Sequence, residues 1–496
     1  MATTPETARN EITPSELKPS ADRLPLVREK GDLLLDQVAR NIERQIALGR
    51  LLPGDRLPSE RALAARLGLS RNTVTAAYSV LERHGAIRRV PHRGAFVSPA
   101  GPAENPIDWS SKISLQAHLL DEPVLEMLAQ SRLPNLRYRL SAGTPALSCF
   151  PLAPFRKAMN KVLANDALLA MAIAPTEGQP RLRRAIAVFD EVEASHILIV
   201  AGAQEGIDLL SRCLIEPGDR VIIDRPTFPG AIQALRAAGA RLVEWDTAEW
   251  SADVLERLLI AYQPKFIFTM PTYHNPTGRT MDEEQRAQLL GLAARYRVPI
   301  IEDDVYSRTR LQGSAPSSLY RMDEHNVVIY LSTFSKVLAP GLRLGWIAAP
   351  PHMVKQLSLI KMRSNLFTEG LSQLALAELL ENGVFDDHLA RLRMTHTTLQ
   401  KIALKSLRQN FTSDELDFSV PQGGLYIWCR WRHPVDMEAV LLRAQQKGAS
   451  VAPGRAFFAG PPDENSFRIC FTASTEQDLP EAIRLLAEAF RNPGLR

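Results

Sequence analysis

LSTFSKVLAPGLRLGW, residues 331–346, places Lys336 one position after a serine and seven before an arginine, with small and apolar residues and a Pro-Gly pair between. The apolar run NVVIYLS (326–332) leads into it and GWIAA (345–349) leads out. Four similar runs precede it: HILIVA (196–201), RVIID (220–224), KFIFTM (265–270) and VPIIED (298–303). Such runs are short, rich in β-branched residues and apolar throughout, so they are covered on both faces, as in a parallel or mixed sheet with crossover helices. EEQRAQLLGLAARY (283–296) reads as one of those helices. After about Leu366 the pattern changes to long helices (373–409), a strand GLYIWCRW, a helix over 436–447 and a strand FRICFT. The expectation is an α/β domain over 138–496, with a large sheet lobe and a smaller C-terminal α+β lobe.

A lysine amine forms a Schiff base with an aldehyde once its neutral form is accessible. Thr333, Ser335 and Arg343 offer hydroxyls and a bidentate guanidinium for phosphate oxygens. Gly202, Ala203 and Gln204 follow a strand and open a helix, where free backbone N–H groups attract an anion. Asp303 ends the strand VPIIED, at the carboxyl edge where ligands of open α/β sheets bind. There it keeps a ring nitrogen protonated. Asn275 in HNPTG and Tyr306, three residues after Asp303, reach a phenolate oxygen, and Phe228 in PTFPG stacks on a ring. Arg468 in FRICFT clamps a carboxylate. Pyridoxal 5′-phosphate (PLP) is one aldehyde used this way, and the chain thus offers a candidate for each group that cofactor needs, with Lys336 as the candidate catalytic lysine.

The N-terminal part has another character. LLLDQVARNIERQIALGR (33–50) puts Leu34, Val38, Ile42 and Ile46 on one helical face, with Gly49 as a stop. Ser59 caps SERALAARLG, which carries Leu63 and Leu67 inward and ends at Gly68. Ser70 caps SRNTVTAAYSVLERHG, with Val74, Tyr78 and Leu81 on one face. AIRRVPHRGAFV (86–97) reads as two strands around a turn. Helix, helix, turn, helix and hairpin make a winged helix-turn-helix over 31–98, with the helix-turn-helix at about 59–78. Ser70, Arg71, Asn72 and Thr73 then face bases and phosphates, Arg61 grips a phosphate, and Arg88, Arg89, His92, Arg93 and Gly94 form the wing. Residues 31–97 hold eleven arginines against six acids, a basic module that suits double-stranded DNA, whereas the whole chain carries only +4.

Residues 1–30 are polar and proline-punctuated, as in a disordered tail, and 99–137 reads as a linker with one helix around Pro123–Ser131. The tail lacks the charge and apolar run of a signal peptide, no run of about 18 apolar residues suggests a membrane span, and a cytoplasmic protein is expected. The four cysteines are far apart, without the spacing of a metal site or a disulfide framework.

LPSERALAARLGLSRNTVTAAYSVLERHGAIRRVPHRGAFVS resembles the winged-helix domain of GntR-type bacterial regulators, which implies that Arg61, Arg71, Asn72 and Thr73 face DNA. The family wing more often reads Gly-x-Gly-Thr-Phe-Val, where this chain has His92-Arg93-Gly94-Ala95-Phe96-Val97. The ordered run NPTG, Asp303-x-x-Tyr306 and Ser335-Lys336-x6-Arg343 resembles fold type I aminotransferases. Together the halves resemble the MocR-type (GabR-like) regulators. The resemblance implies a homodimer and a PLP-dependent regulator that senses an amino compound or PLP itself. The alternative is an active aminotransferase carrying a DNA-binding arm, and half-transamination is compatible with either. Those relatives usually carry a tyrosine in a Tyr-Gly-Asp-Pro-like segment before Gly178, reaching the neighbouring subunit's phosphate; here AIAPTEGQP puts Ile173 or a nearby residue at that place. The loop after AIAVF (185–189) is also shorter than theirs.

Overall fold

The computed structural model describes residues 34–47, 50–91, 93–98, 112–113, 136–314, 316–463 and 465–491. The expected tail 1–30, Gly49, His92, most of the 99–137 linker and the helix expected around Pro123–Ser131 lie outside the described residues. The chain divides into two compact units, one up to residue 113 and one from residue 114.

The first unit has helices Leu34–Ala47, Glu60–Leu67 and Arg71–Arg83 followed by an antiparallel hairpin of Ile87–Val90 with Gly94–Val97. Both expected caps form. Ser59 Oγ accepts from Ala62 N at 3.2 Å and Ser70 Oγ from Thr73 N at 3.1 Å, while Gly68 closes its helix in the left-handed region (φ 63°). Val38, Ile42, Leu63, Val74, Tyr78, Leu81, Ile87 and Val97 form the core, each worth about 1.5–3 kcal/mol when fully buried. Two expectations are corrected at the edges. Leu34, at the first helical residue, is 40% exposed, and Ile46 and Leu67, in last turns, are only half-buried, because the core narrows at helix ends.

The second unit holds a seven-stranded sheet in the order Ile197–Val200, Gly345–Ala348, Val328–Thr333, Ile300–Asp303, Phe266–Thr269, Arg220–Asp224, Arg241–Trp245. Only Gly345–Ala348 runs antiparallel to its neighbours. Five of these strands are buried at every residue, which is why they read as continuous apolar runs. Among the crossover helices, Glu283–Tyr296 starts with a capping box in which Asp282 and Gln285 exchange hydrogen bonds.

The smaller lobe is an antiparallel sheet, Leu416–Phe418, Tyr426–Trp431, Ser466–Cys470 and Ala452–Pro453 in that order. It is not purely C-terminal. Tyr138–Arg139 pairs in parallel with Ala449–Ser450, and Tyr138, Leu140 and Ala146 pack into the same core as Ile469 and Phe490. The helical stretch expected over 373–409 is two helices, Gly370–Glu381 and Val384–Asn410, divided at Gly383, whose φ of 70° breaks the run.

Candidate cofactor pocket and DNA-reading face

Strands that end together build the pocket. Val200, Thr269, Asp303 and Thr333 close parallel strands, and Gly345 opens the antiparallel one beside both Val200 and Thr333. At that edge lies a cavity of about 170 Å³. Ala203, Gln204, Phe228, Asn275, Asp303 and Tyr306 line it, and so do Thr333, Ser335, Lys336 and Arg343. Gly202 sits at one end, with φ 88°. A Cβ built on it would lie 2.7–3.0 Å from the Arg343 guanidinium, so only glycine lets that arginine approach.

The Gly202 end suits an anion. The helix Ala203–Leu214 begins there, and Arg343 Nη2 donates to Ala201 O at 2.6 Å. The Thr333 hydroxyl reaches Leu344 O at 2.7 Å and accepts from Ser335 N at 3.2 Å, so it braces the turn that carries Lys336, while the Ser335 hydroxyl lies 3.0 Å from it. The Gln204 side chain donates to Gly230 O at 2.9 Å, which leaves its backbone N–H for the anion.

The other end suits a heterocycle. Asp303 is buried, and its Oδ1 has no hydrogen-bond partner. Burial first, then the neighbouring Asp304, raise its carboxyl from 3.8 to about 7, against the pull of Lys336. A buried acceptor without a donor is costly, and a protonated ring nitrogen is a donor of the right charge. Lys336 Nζ donates to Gly143 O at 2.8 Å. Tyr306 OH lies 3.0 Å from Tyr426 OH, and burial pushes its phenol well above the usual value, so it remains a donor. Arg468 is buried beside this network. It donates to Asn275 Oδ1 at 2.8 Å and to Ser141 O at 2.9 Å, stands 4.0 Å over the Tyr426 ring, and leaves its Nε unpartnered.

Sequence reasoning missed Gly143, Tyr426, Met270 and Val305. Met270 and Val305 line the cavity. Gly143 leaves no room for a side chain, since a Cβ would fall 2.7 Å from Tyr426 OH and 3.6 Å from Lys336 Nζ. The signal for Met270 and Val305 was available, because each follows directly on a strand end or on the acidic pair after it. Gly143 and Tyr426 act only through tertiary approach.

On the first unit Arg61, Ser70, Arg71, Asn72, Arg88, Arg93 and Gly94 are exposed and Thr73 is half-buried. Arg71, Asn72 and Thr73 are the first three residues of their helix, where the dipole favours phosphate, and the Thr73 N–H is already taken by the Ser70 cap. Thr73 Oγ1 and Ser70 Oγ are 2.8 Å apart, so the two hydroxyls form one local pair. Gly94 has φ 107°, and the exposed Arg56 guanidinium packs over it. Arg56, which sequence reasoning passed over, thereby joins the wing.

Residues 139–486 match the family described as aminotransferase class I and II, and residues 34–97 match the gntR family of bacterial regulatory proteins. The chain belongs to the aminotransferase class I and II family. With a gntR module ahead of that domain, it has the MocR-type architecture. The HTH-type transcriptional regulator YdcR of Escherichia coli is 33% identical over 87% of this chain and 93% of its own. The probable rhizopine catabolism regulatory protein MocR of Rhizobium meliloti is 28% identical over 92% of this chain and 93% of its own. Among solved structures, LysN of Thermus thermophilus, an α-aminoadipate aminotransferase holding N-(5′-phosphopyridoxyl)-L-leucine, superposes with a TM-score of 0.73 at 28% identity. It covers 78% of this chain and 98% of its own. The family's cofactor is PLP, and the orphaned Asp303 oxygen, the lysine and the anion-binding end fit it.

In this MocR-type chain Ile173, within the segment AIAPTEGQP, is 82% exposed. After helix Pro180–Asp190 come residues 191–193, a short 3-10 turn, Ala194–His196, and the strand from Ile197. Among the described residues no helix is long and apolar enough to cross a membrane.

One wing residue is bound within the module. Arg89 donates to Thr75 O and Ser79 Oγ, each at 3.1 Å, and sits 3.6 Å from both Glu60 and Glu82. It ties the wing to two helices. Arg89→Ala is expected to cost about 1–3 kcal/mol locally, seen as faster hydrogen exchange in peptides spanning 71–97 of the full chain. Unchanged exchange would show that the clamp contributes nothing.

The raised Asp303 carboxyl gives a pH-dependent prediction. Its folded value of about 7 exceeds the reference 3.8, so the fold binds the extra proton between these values and loses stability as pH rises through that window. Above it the buried charge is fully present. Asp303→Asn is expected to stabilise the cofactor-free chain by about 1–3 kcal/mol near pH 8, with little effect near pH 4, while weakening PLP binding. Urea denaturation at both pH values checks the sign; destabilisation near pH 8 would contradict it.

Proposed function

We propose that the chain is a DNA-binding transcriptional regulator whose aminotransferase domain uses PLP to sense an amino compound. The observation that carries this reading is the coexistence, in one chain, of a helix start with Arg71 and Asn72 exposed and a pocket combining Lys336 and the unpartnered Asp303 oxygen, with Arg468 bonded to its wall residue Asn275. When bound, PLP supplies an aldehyde for amines and an electron sink for the bond they carry. The chain's own part is distinct. Asp303 would hold the ring nitrogen's proton, Tyr306 and Asn275 would orient the ring oxygen, Lys336 would supply the amine that holds the cofactor, and Arg468 would receive a carboxylate. Such a ligand changes DNA affinity only by binding two states of the protein unequally. Sensing of PLP alone is the variant in which amines add nothing.

The pocket also supports a second reading, a working aminotransferase with a DNA-binding arm, because LysN shares the fold over nearly its whole length. Steady turnover of an amino donor with a 2-oxo acid would favour that reading. A homodimer is proposed as well. Leu168, Ile173 and Val188 are 82–89% exposed, an apolar set that a second copy would cover, and sedimentation measures the state directly.

Selection of random DNA duplexes with the purified full chain tests the regulator. Enrichment of one defined sequence supports it. Sequence-independent recovery, with and without PLP, refutes it.

A further inference from the structure

A second cavity, of about 500 Å³, lies on the other side of the acidic pair at the end of Ile300–Asp303. Asp303 lines the cofactor cavity, and its neighbour Asp304 lines this one. The walls carry Arg308, Arg310, Arg321 and Arg393 together with Asp190, Asp304 and Asp386. Some of these charges are matched within the protein. Arg308 donates to Asp190 Oδ1 at 3.1 Å, Arg321 to Asp190 O at 2.9 Å, and Tyr330 to Asp304 Oδ2 at 3.1 Å.

The remainder is unmatched. Asp190 is 5% and Asp304 2% exposed, yet Asp190 Oδ2 and Asp304 Oδ1 have no hydrogen-bond partner, and neither does the buried Arg393 Nε. Among the described residues, no ion pair or side-chain hydrogen bond engages the guanidinium of Arg310 or Arg393. Buried polar groups are ordinarily satisfied, and a cavity offering two unengaged cations and two unengaged carboxylate oxygens is a binding surface in need of a complementary ligand. The arginines call for an oxyanion in bidentate geometry. The carboxylate oxygens call for donors on the same molecule, hydroxyl or ammonium. A plain hydrophobic ligand satisfies neither set.

We propose that this cavity is a second small-molecule site, distinct from the cofactor pocket, that takes a small carboxylate bearing hydroxyl or amino donors. Arg310 and Arg393 hold the carboxylate, and Asp190 and Asp304 accept from the donors. The site requires no covalent chemistry and no PLP. Because Asp304 adjoins Asp303, occupancy places a ligand one residue from the acid that faces the cofactor ring.

The test uses the full chain loaded with PLP and two probes without an amine, L-malate and L-lactate, which cannot react with the cofactor aldehyde. Binding is followed by calorimetry in wild type, Arg310→Gln, Arg393→Gln, Arg393→Lys and Arg468→Gln. The expected result is saturable binding of at least one probe, weakened tenfold or more by Arg310→Gln and Arg393→Gln, partly restored in Arg393→Lys and unaffected by Arg468→Gln. Cofactor absorbance and thermal midpoint show that each variant is folded and loaded. Binding of neither probe to wild type would overturn the proposal. So would binding abolished by Arg468→Gln but indifferent to Arg310→Gln and Arg393→Gln, since the probe would then occupy the cofactor pocket.

Discussion

Lys336→Ala is expected to abolish covalent retention of PLP and to slow any amino-group transfer by roughly 10²–10⁴-fold, the range lost when a positioned proton carrier is removed. The reason is local. Lys336 Nζ is held at Gly143 O at 2.8 Å, in the cavity that Asp303 and Tyr306 also line. Among the described residues lining that cavity there is no other lysine. Borohydride reduction followed by peptide mass spectrometry reads the result. Wild type should gain the cofactor's mass on the peptide containing Lys336, and the variant on no peptide. Arg343 and Ser335 remain in the variant, so weak, reversible binding of PLP is expected to survive. Cofactor mass on another lysine in the variant would displace Lys336 from its proposed role.

The second large effect is on DNA. Arg71 and Asn72 occupy the first turn of Arg71–Arg83, both exposed. An arginine or asparagine making a bidentate base contact is worth about 1–3 kcal/mol of discrimination. Arg71→Ala with Asn72→Ala together should weaken operator binding by roughly 30-fold to 10⁴-fold, taking tenfold per 1.4 kcal/mol. Non-specific binding should fall far less. The thermal midpoint should be unchanged, since neither side chain belongs to the core. Arg61→Ala, by contrast, is expected to weaken all sequences alike and to lower the salt dependence by about one ion. Electrophoretic or fluorescence titrations at several salt concentrations separate the two cases. Equal loss on operator and random DNA in the double variant would move the two residues from base reading to phosphate contact.

What was legible in the sequence shares one property, short range along the chain. The caps at Ser59 and Ser70 act on N–H groups three residues ahead, and both form. Asp303 and Tyr306, or Ser335, Lys336 and Arg343, are fixed relative to one another by a single strand end or turn, so their spacing alone carries them into one cavity. The continuous apolar strands likewise announce a sheet covered on both sides. What was not legible depends on distant segments. Gly143 meets Lys336 across 193 positions, and no local pattern marks it. Tyr138–Arg139 joins the small lobe through Ala449–Ser450, a pairing two residues long. Arg89 is an intermediate case. Strand alternation from the buried Ile87 turns Arg89 to the inner side, and Glu60 and Glu82 supply its counter-charges, so charge and period combined could have identified the clamp.

The central claim is that occupancy of the pocket at Lys336 controls the grip of the helix beginning at Arg71. The most direct measurement titrates a panel of amino compounds into the PLP-loaded full chain bound to its selected DNA, recording cofactor absorbance and DNA anisotropy in the same cuvette, with Lys336→Ala in parallel. An effective amine should change both signals at the same concentration in wild type and neither in the variant. DNA affinity that responds equally in wild type and Lys336→Ala, or that stays constant while the absorbance changes, would contradict it.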